Sequence, residues 1–349
     1  MDDSFQIAFS LTYLKTVDVP HFPKRANDSH KGDYGRVLLV GGSVGMSGAI
    51  VLAGRAAMRT GTGLMKIAVP KSIWPIVAGQ VVEGMALPMP ETRSGKFCLS
   101  AFESLMRLAD EVDVVAIGPG LGRSAGLDAL VSRFNREVKK PMVIDADALN
   151  ALASRNGKAL ADDFATLAEN GVPRILTPHP GELSRLIACF KNPVSQEKER
   201  TAGDTLPHDT PGRIKIAQEW VAAVTGCQKA GRREKDLQRR QSHLPHLLVF
   251  KGAETVVTDG EQTHVNPSGN PGMATGGSGD VLAGIIASLL GQRFTPFDAG
   301  KLGVFLHGLC GDIAVHGSGI PQESVIASTL INHIDQAILL WSKTGITNP

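Results

Sequence analysis

The sequence predicts an α/β fold built on a mostly parallel sheet with helices on both faces. Three observations carry this expectation. Short, wholly apolar runs recur along the chain, they alternate with stretches whose apolar residues fall at helical spacing, and nearly every run ends in a turn rich in Gly, Pro, His or Asp. Continuous apolar runs are typical of strands buried on both sheet faces, and a strand–helix–strand rhythm gives parallel pairing. The 349 residues suffice for one large α/β domain or two small ones.

Residues 1–30 read as an arm with a short helix at most, ahead of a core domain over 31–345. Val37-Leu38-Leu39-Val40 is the first strand and Gly41–Gly48 its turn. A helix over Ala49–Arg59, stopped near Gly61, and a strand over Leu64–Val69 complete a βαβ unit. Val112–Ile117 is a strand ending in Gly118-Pro-Gly-Leu-Gly122, and Leu127, Leu130, Val131 and Phe134 mark the next helix. Met142–Ile144 ends in Asp145-Ala-Asp147, Ile175-Leu176 enters Thr177-Pro-His-Pro-Gly-Glu182, and Leu247–Phe250 enters Lys251-Gly-Ala-Glu-Thr255. Thr255–Thr258 and Gln262–Val265 flank Asp259-Gly260 as a hairpin. Val281, Leu282, Ile285, Ile286, Leu289 and Leu290 form one helical face, with Gly291 as its stop. Helices fill the remainder. Residues 191–246 break the rhythm: apart from a helix around Ile214–Val224 they are polar, and Ala230–Arg240 is dense in charge, which reads as a solvated insertion.

Composition narrows the function. A net charge of +2 and few aromatic residues give no basic field or stacking platform for nucleic acid. Cys98, Cys189, Cys227 and Cys310 are scattered without a C-x-x-C pair, which suits a reducing cytoplasm and argues against a zinc or disulfide framework. No apolar run reaches the ~18 residues of a membrane span, and the start of the chain lacks a leader pattern, so no membrane contact is expected.

Ligands of parallel α/β sheets bind at the carboxyl ends of the strands, where five of these turn motifs would converge. The richest is Asn266–Asp280, which gathers glycines before an apolar helix. Such a loop presents amides at a helix N-terminus and suits phosphate, with Gly276, Gly277, Ser278 and Gly279 as the anion hole. A carboxylate beside phosphate would be repelled, so Asp280 suggests a base that takes a proton from a hydroxyl, or a cation ligand. An acid in a first helical turn also suits the dipole without any chemistry. His179, fixed between two prolines, reads as a rim residue, and Lys251 as a point charge for phosphate. Asp145 and Asp147 either bind magnesium or cap the following helix, with support favoured for Asp147; His307 and Asp312 read as packing or polar-network residues. Gly42 begins G-x-x-G-x-x-G, not the dinucleotide fingerprint, and Gly272–Gly277 has phosphate-loop spacing with Ser278 where lysine belongs. Neither a G-x-S-x-G elbow nor H-E-x-x-H occurs.

Lys31-Gly-Asp-Tyr-Gly35, Gly41-Gly-Ser43, Gly118–Gly122, Asp145-Ala-Asp-Ala-Leu149, Thr177–Glu182, Lys251–Thr255 and Asn266–Asp280 occur in this order. Together they resemble the ADP/ATP-dependent NAD(P)H-hydrate dehydratases, metabolite-repair lyases of the ribokinase-like superfamily. The resemblance covers about residues 30–340 outside the insertion, and implies a ribokinase-like three-layer α/β/α fold. It also implies phosphorylation by ADP or ATP of the ring hydroxyl of the S epimer of hydrated NADH or NADPH, then loss of phosphate. Carried over position by position, Lys251, Gly252, Ala253, Glu254, Thr255 and Gly279 touch the nucleotide. Ala49, Gly120, His179 and Asp280 touch the hydrated dinucleotide, with Asp280 as the catalytic base. Magnesium is expected with the nucleotide phosphates, and no protein metal-ligand set is assigned. A homotetramer is implied, and the short arm leads one to expect a separate epimerase as pathway partner. Ser278 departs from the threonine of many relatives while keeping a hydroxyl. Two other classes compete: a ribokinase-like kinase of a small vitamin precursor, and a non-enzymatic nucleotide sensor.

Overall fold

Alternation within single strands sorts side chains onto two faces. In β1 (Arg36–Val40), Val37 and Leu39 join the apolar core on one side of the sheet and Leu38 and Val40 the core on the other, all four buried. The computed structural model describes residue 14 and residues 17–191, 206–225 and 246–344. The charged run 230–240 lies outside the described residues, and of the expected insertion little beyond 206–225 lies within them.

The other strands are β2 (Leu64–Pro70), β3 (Met85–Met89), β4 (Val114–Ile117), β5 (Met142–Ile144), β6 (Arg174–Leu176), β7 (His246–Phe250), β8 (Val256–Thr258) and β9 (Thr263–Val265). They form one sheet in the order β3-β2-β1-β4-β5-β6-β7-β8-β9. Pairing is parallel from β3 to β7 and antiparallel at β8 and β9. The chain runs outward from β1 to β3 and returns to β4, so a topological switch point opens between the turns that follow β1 and β4.

The helices are α1 (Ser47–Arg59), α2 (Trp74–Gln80), α3 (Phe102–Asp110), α4 (Ala125–Glu137), α5 (Ala146–Ala153), α6 (Gly157–Glu169), α7 (Pro180–Lys191) and α8 (Thr210–Val224), then α9 (Ser278–Gly291), α10 (Pro296–Asp312), α11 (Ala327–Asn332) and α12 (Ile334–Thr344). Helices α1, α2 and α9–α12 cover one sheet face and α3–α8 the other, which makes three layers. Helices α1 and α9 cross closely: a Cβ at Gly284 would stand 2.1 Å from the Ala53 carbonyl oxygen, so no larger residue fits. Residues 17–30 pack on this layer, where Trp341 Nε1–H donates to the Pro20 carbonyl (2.9 Å) and His21 stacks on the indole.

Three local details complete the fold. Helix α9 ends at Gly291 as expected, and Gly291 lies so close to Gly35 that a Cβ on Gly35 would meet its carbonyl at 2.2 Å, while the left-handed residue beyond is Arg293 (φ 70). The expected hairpin is present, with β8 and β9 antiparallel, and Asp259 Oδ1 accepts from the amides of Glu261 (2.9 Å) and Gln262 (2.7 Å) to hold the connection between them. Strand β3 has no clear signal in the sequence, since Met-Ala-Leu-Pro-Met interrupts its apolar pattern with the proline an edge strand tolerates.

Candidate active site

The ends of β5, β6 and β7 are tied together by one buried carboxylate. Asp145 Oδ1 accepts from Thr177 Oγ1 (2.7 Å) and from Lys251 Nζ (2.8 Å), and the Lys251 amide donates to the Pro178 carbonyl (2.9 Å). The backbone is forced at this point. Ala146 sits at φ 48, a strained value for a residue with a Cβ, and a Cβ on Gly118 would stand 1.8 Å from the Asp145 oxygen. Asp145 makes no side-chain cap bond to α5, while Asp147 Oδ2 accepts from the Gly122 amide (2.8 Å) and braces the turn after β4.

His179 joins this cluster through Glu182. The His179 amide donates to Glu182 Oε2 (2.8 Å), its Nε2 lies 3.4 Å from Oε1, and its Nδ1 accepts from the Gly181 amide (3.1 Å). Glu182 Oε2 is 3.8 Å from Lys251 Nζ. One ammonium is therefore shared by two buried carboxylates, with the imidazole on the rim side.

The glycine loop meets the cluster from the opposite sheet layer. Gly277 caps α9 in the left-handed region (φ 88), and a Cβ there would clash with Leu52 Cδ1 at 2.5 Å while lying 3.9 Å from Asp280 Oδ2. A Cβ on Gly279 would stand 3.2 Å from Lys251 Nζ and 4.0 Å from Asp145 Oδ2, so glycine leaves the space between lysine and helix open. Gly276 has no neighbour within 4 Å of such an atom. Helix α10 holds the loop from behind. Asp312 accepts from the Gly269 amide (2.7 Å) and from Asn270 Nδ2 (3.0 Å), and His307 Nε2 lies 3.0 Å from the Ser278 carbonyl oxygen. Both are polar-network residues, as the sequence suggests, and burial pushes His307 down to about 4, so it is neutral at pH 7.

Charge is unbalanced here. Burial first, then Asp145, push the Asp280 carboxyl up to about 7 against the pull of Lys251, with Asp147 and Glu182 adding to the rise. Burial also raises Glu182. Burial by itself would lower the Lys251 ammonium, but Asp145, Glu182 and Asp280 hold it above its ordinary value. Burial, Lys251 and Arg185 lower His179, which stays neutral at pH 7. No hydrogen bond to the Asp280 carboxylate exists among the described residues. A half-buried carboxyl with no hydrogen bond among the described residues and a pKa near neutrality is suited to accept a proton.

Ala49 and Gly120 lie at the switch point. Gly120 (φ 64) approaches α1 so closely that a Cβ would stand 3.0 Å from Ala49 Cβ, and its carbonyl accepts from Ser43 Oγ (2.8 Å). The stretch Lys251–Thr255 has a brace the sequence did not disclose. Arg213 on α8 donates to the carbonyls of Phe250 (3.1 Å), Lys251 (3.3 Å) and Glu254 (3.3 Å), and also to that of Ala253. Its guanidinium lies over the Phe250 ring (4.6 Å), and Thr210 hydrogen-bonds the Glu254 carboxylate. In sequence Arg213 stands just before the helix expected around Ile214–Val224, inside a polar stretch where a solvated cation is the default.

A family model described as NAD(P)H-hydrate dehydratase matches residues 37–335, which contain every residue of this cluster. The chain belongs to the NAD(P)H-hydrate dehydratase family. A bifunctional NAD(P)H-hydrate repair enzyme of Moorella thermoacetica is 40% identical over 314 residues, which cover 89% of this chain and 51% of the relative. An ADP-dependent (S)-NAD(P)H-hydrate dehydratase of Neisseria meningitidis is 36% identical over 304 residues, covering 86% of this chain and 84% of that protein. Among solved structures, an ADP/ATP-dependent NAD(P)H-hydrate dehydratase from Bacillus subtilis, co-crystallized with ATP/Mg2+, has a TM-score of 0.66 and 26% identity over 96% of this chain and 98% of that one. The chain thus spans about half the length of the bifunctional relatives it matches. The three layers and mostly parallel sheet are those of ribokinase-like dehydratases. Within this family frame, the predicted residues Asp280, Gly279, Lys251 and His179 fall in one cluster. Ala49 and Gly120 join it through α1, and Glu182 and Arg213 are the additions made by the structure.

Proposed function

We propose that this dehydratase-family chain uses ADP or ATP to dehydrate the S epimer of hydrated NADH and NADPH. The observation that carries the reading is Asp280: a carboxyl pushed up to about 7, at the N-terminus of α9, beside an open glycine loop and a buried lysine. Asp280 takes the proton of the ring hydroxyl as its oxygen attacks the terminal phosphorus of the nucleotide. The phosphorus–oxygen bond to the leaving nucleotide breaks, giving AMP from ADP or ADP from ATP. The ring carbon–oxygen bond then breaks with its electrons going to phosphate, and loss of a proton from the neighbouring carbon restores the double bond. Hydroxide is a poor leaving group and phosphate a good one, which is the reason to use the nucleotide.

In this reading the amides of Gly276, Gly277, Ser278 and Gly279 form the anion hole for the transferring phosphoryl group. Lys251, Gly252, Ala253, Glu254 and Thr255, with Gly279, hold the nucleotide. Ala49, Gly120 and His179 hold the dinucleotide with Asp280. When magnesium is bound with the nucleotide it neutralises phosphate charge. Asp145, Asp147 and Glu182 stand beside the open glycine loop, where a magnesium ion carried by the nucleotide would add positive charge among them. The reading includes a cytoplasmic setting, a partner activity that interconverts the hydrate epimers, and a homotetramer. No described helix is long and apolar enough to cross a membrane.

The test is recovery of the reduced-nicotinamide absorbance when purified S-hydrate of NADH is mixed with enzyme and ADP, or with ATP. Restoration without nucleotide, or none with either, overturns the reading. A small-molecule kinase would leave the band flat, and that alternative has the weaker support because the family match is to dehydratases. Because the base must be ionised, kcat/KM is expected to fall below an apparent pKa near 7.

A further inference from the structure

A continuous wall runs from the acid to a cation that no motif includes. Gly277, beside Asp280, touches Leu52 on α1; one turn back, Ala49 faces Gly120. A Cβ on Gly120 would stand 2.5 Å from the Met46 carbonyl oxygen, and one on Gly122 would stand 3.3 Å from Met46 Cε and 3.1 Å from Lys96 Cε. Lys96 is fixed there: its Nζ donates to the Arg123 carbonyl (2.9 Å) and its carbonyl accepts from the Thr92 amide (2.8 Å). The turn before it is locked onto the loop after β1 by the Val44 amide, which donates to the Gly95 carbonyl (3.1 Å). Arg123 is neutralised by a two-point pair with Asp128 (3.0 and 2.8 Å), whereas Lys96 has no carboxylate partner among the described residues. Beside it Val44 and Met46 remain 57% and 39% exposed, apolar surface at the rim of a polar site.

The wall leads away from the nucleotide loop, which lies on the Lys251 and Arg213 side of Asp280. A dinucleotide whose ring hydroxyl is at Asp280 has its remaining mass to place, and the switch-point wall is the direction left to it. That remainder carries a pyrophosphate and needs a cation. We infer that Lys96 is a substrate-binding residue, its ammonium meeting a phosphoryl oxygen of the dinucleotide while Met46 and Val44 cover the adjoining sugar or base. The inference rests on the proposed activity for its substrate class, yet its test does not require turnover.

The experiment is direct binding of NADH and of NADPH, followed by reduced-nicotinamide fluorescence, to the wild-type chain and to Lys96→Met and Lys96→Arg. Loss of one charge-assisted contact predicts binding about tenfold weaker in Lys96→Met, substantial recovery in Lys96→Arg, and a shallower dependence on salt. Equal loss for both ligands assigns the contact to the shared pyrophosphate, and loss for NADPH alone assigns it to the extra phosphate. Unchanged binding of both, or weakened ADP binding in their place, overturns the inference. Wild-type protein that binds NADH through Lys96 but restores no hydrate would sink the proposed activity and leave this contact standing. In the active enzyme, Lys96→Met should raise KM for the hydrate with kcat and the nucleotide KM unchanged.

Discussion

The adjacent strands β6 and β7 carry a buried polar cluster at each end, and the two differ in kind. At the amino ends, Arg174 is fully buried and all five of its N–H groups are engaged: Nε with Asn135 Oδ1, Nη1 with the carbonyls of Lys140 and Pro173, and Nη2 with those of Asn135 and Val138. His246 beside it is equally placed, accepting from the Arg174 amide at Nδ1 (3.2 Å) and donating from Nε2 to the Phe164 carbonyl (2.7 Å). Burial lowers Arg174 to about 9 and His246 to about 4, so the first stays charged and the second neutral at pH 7. At the carboxyl ends, one ammonium serves Asp145 and Glu182, and Asp280 stands near both without a hydrogen bond. The first cluster engages every donor of Arg174 and the His246 ring, leaving only the Asn135 Nδ2 of the cluster without a hydrogen bond among the described residues, and both titratable groups keep one charge state at pH 7. The second holds excess negative charge and an unpartnered acid, an arrangement that folding stability alone would not select.

Substitutions can break that contrast. The largest effect is expected for Asp280→Asn, which keeps the shape and removes the base: turnover should fall on the order of a thousandfold while ADP binding, measured by calorimetry, persists. Unchanged turnover would put the base elsewhere. Arg174→Met should act in the opposite way, lowering unfolding stability in urea by about 3 kcal/mol or more because buried carbonyls lose their donors. The kcat of the folded fraction should remain near wild type; a specific loss of kcat would show that the two ends are not independent.

Asp280 also predicts a stability gain with a definite sign. Its folded pKa is raised from 3.8 to about 7, so its contribution to stability is full below 3.8 and declines as the pH rises through the folded value. Asp280→Asn should therefore raise thermal stability at pH 8, by roughly 2 kcal/mol after allowing for solvent screening, and have little effect at pH 4. An equal change at both pH values would mean that the charge is not what strains the site. The smallest effect sharpens the contrast within the site. Arg213→Ala should raise the nucleotide KM about tenfold, with kcat at saturation and the hydrate KM little changed, and Arg213→Lys should recover part of the loss. A uniform fall in stability and kcat would reduce Arg213 to a structural brace.

What the chain declares locally is its architecture. Val37–Val40, Met142–Ile144 and Leu247–Phe250 are apolar on every residue because both faces of their strands are covered, and the turns after them carry Gly, Pro, His and Asp because the carboxyl edge is where the sheet meets its ligand. The glycine loop, the His179 turn and Lys251 were legible for that reason. What only the tertiary structure decided depends on distance between segments far apart in the chain. Lys251 gains its carboxylates from β5 and α7, Asp280 gains its raised pKa from the charges those elements bring, and Arg213 and Lys96 acquire meaning from the loops they face. A residue's type and spacing fix which element it joins, but its charge state follows from burial and neighbours, which exist only once the layers have packed.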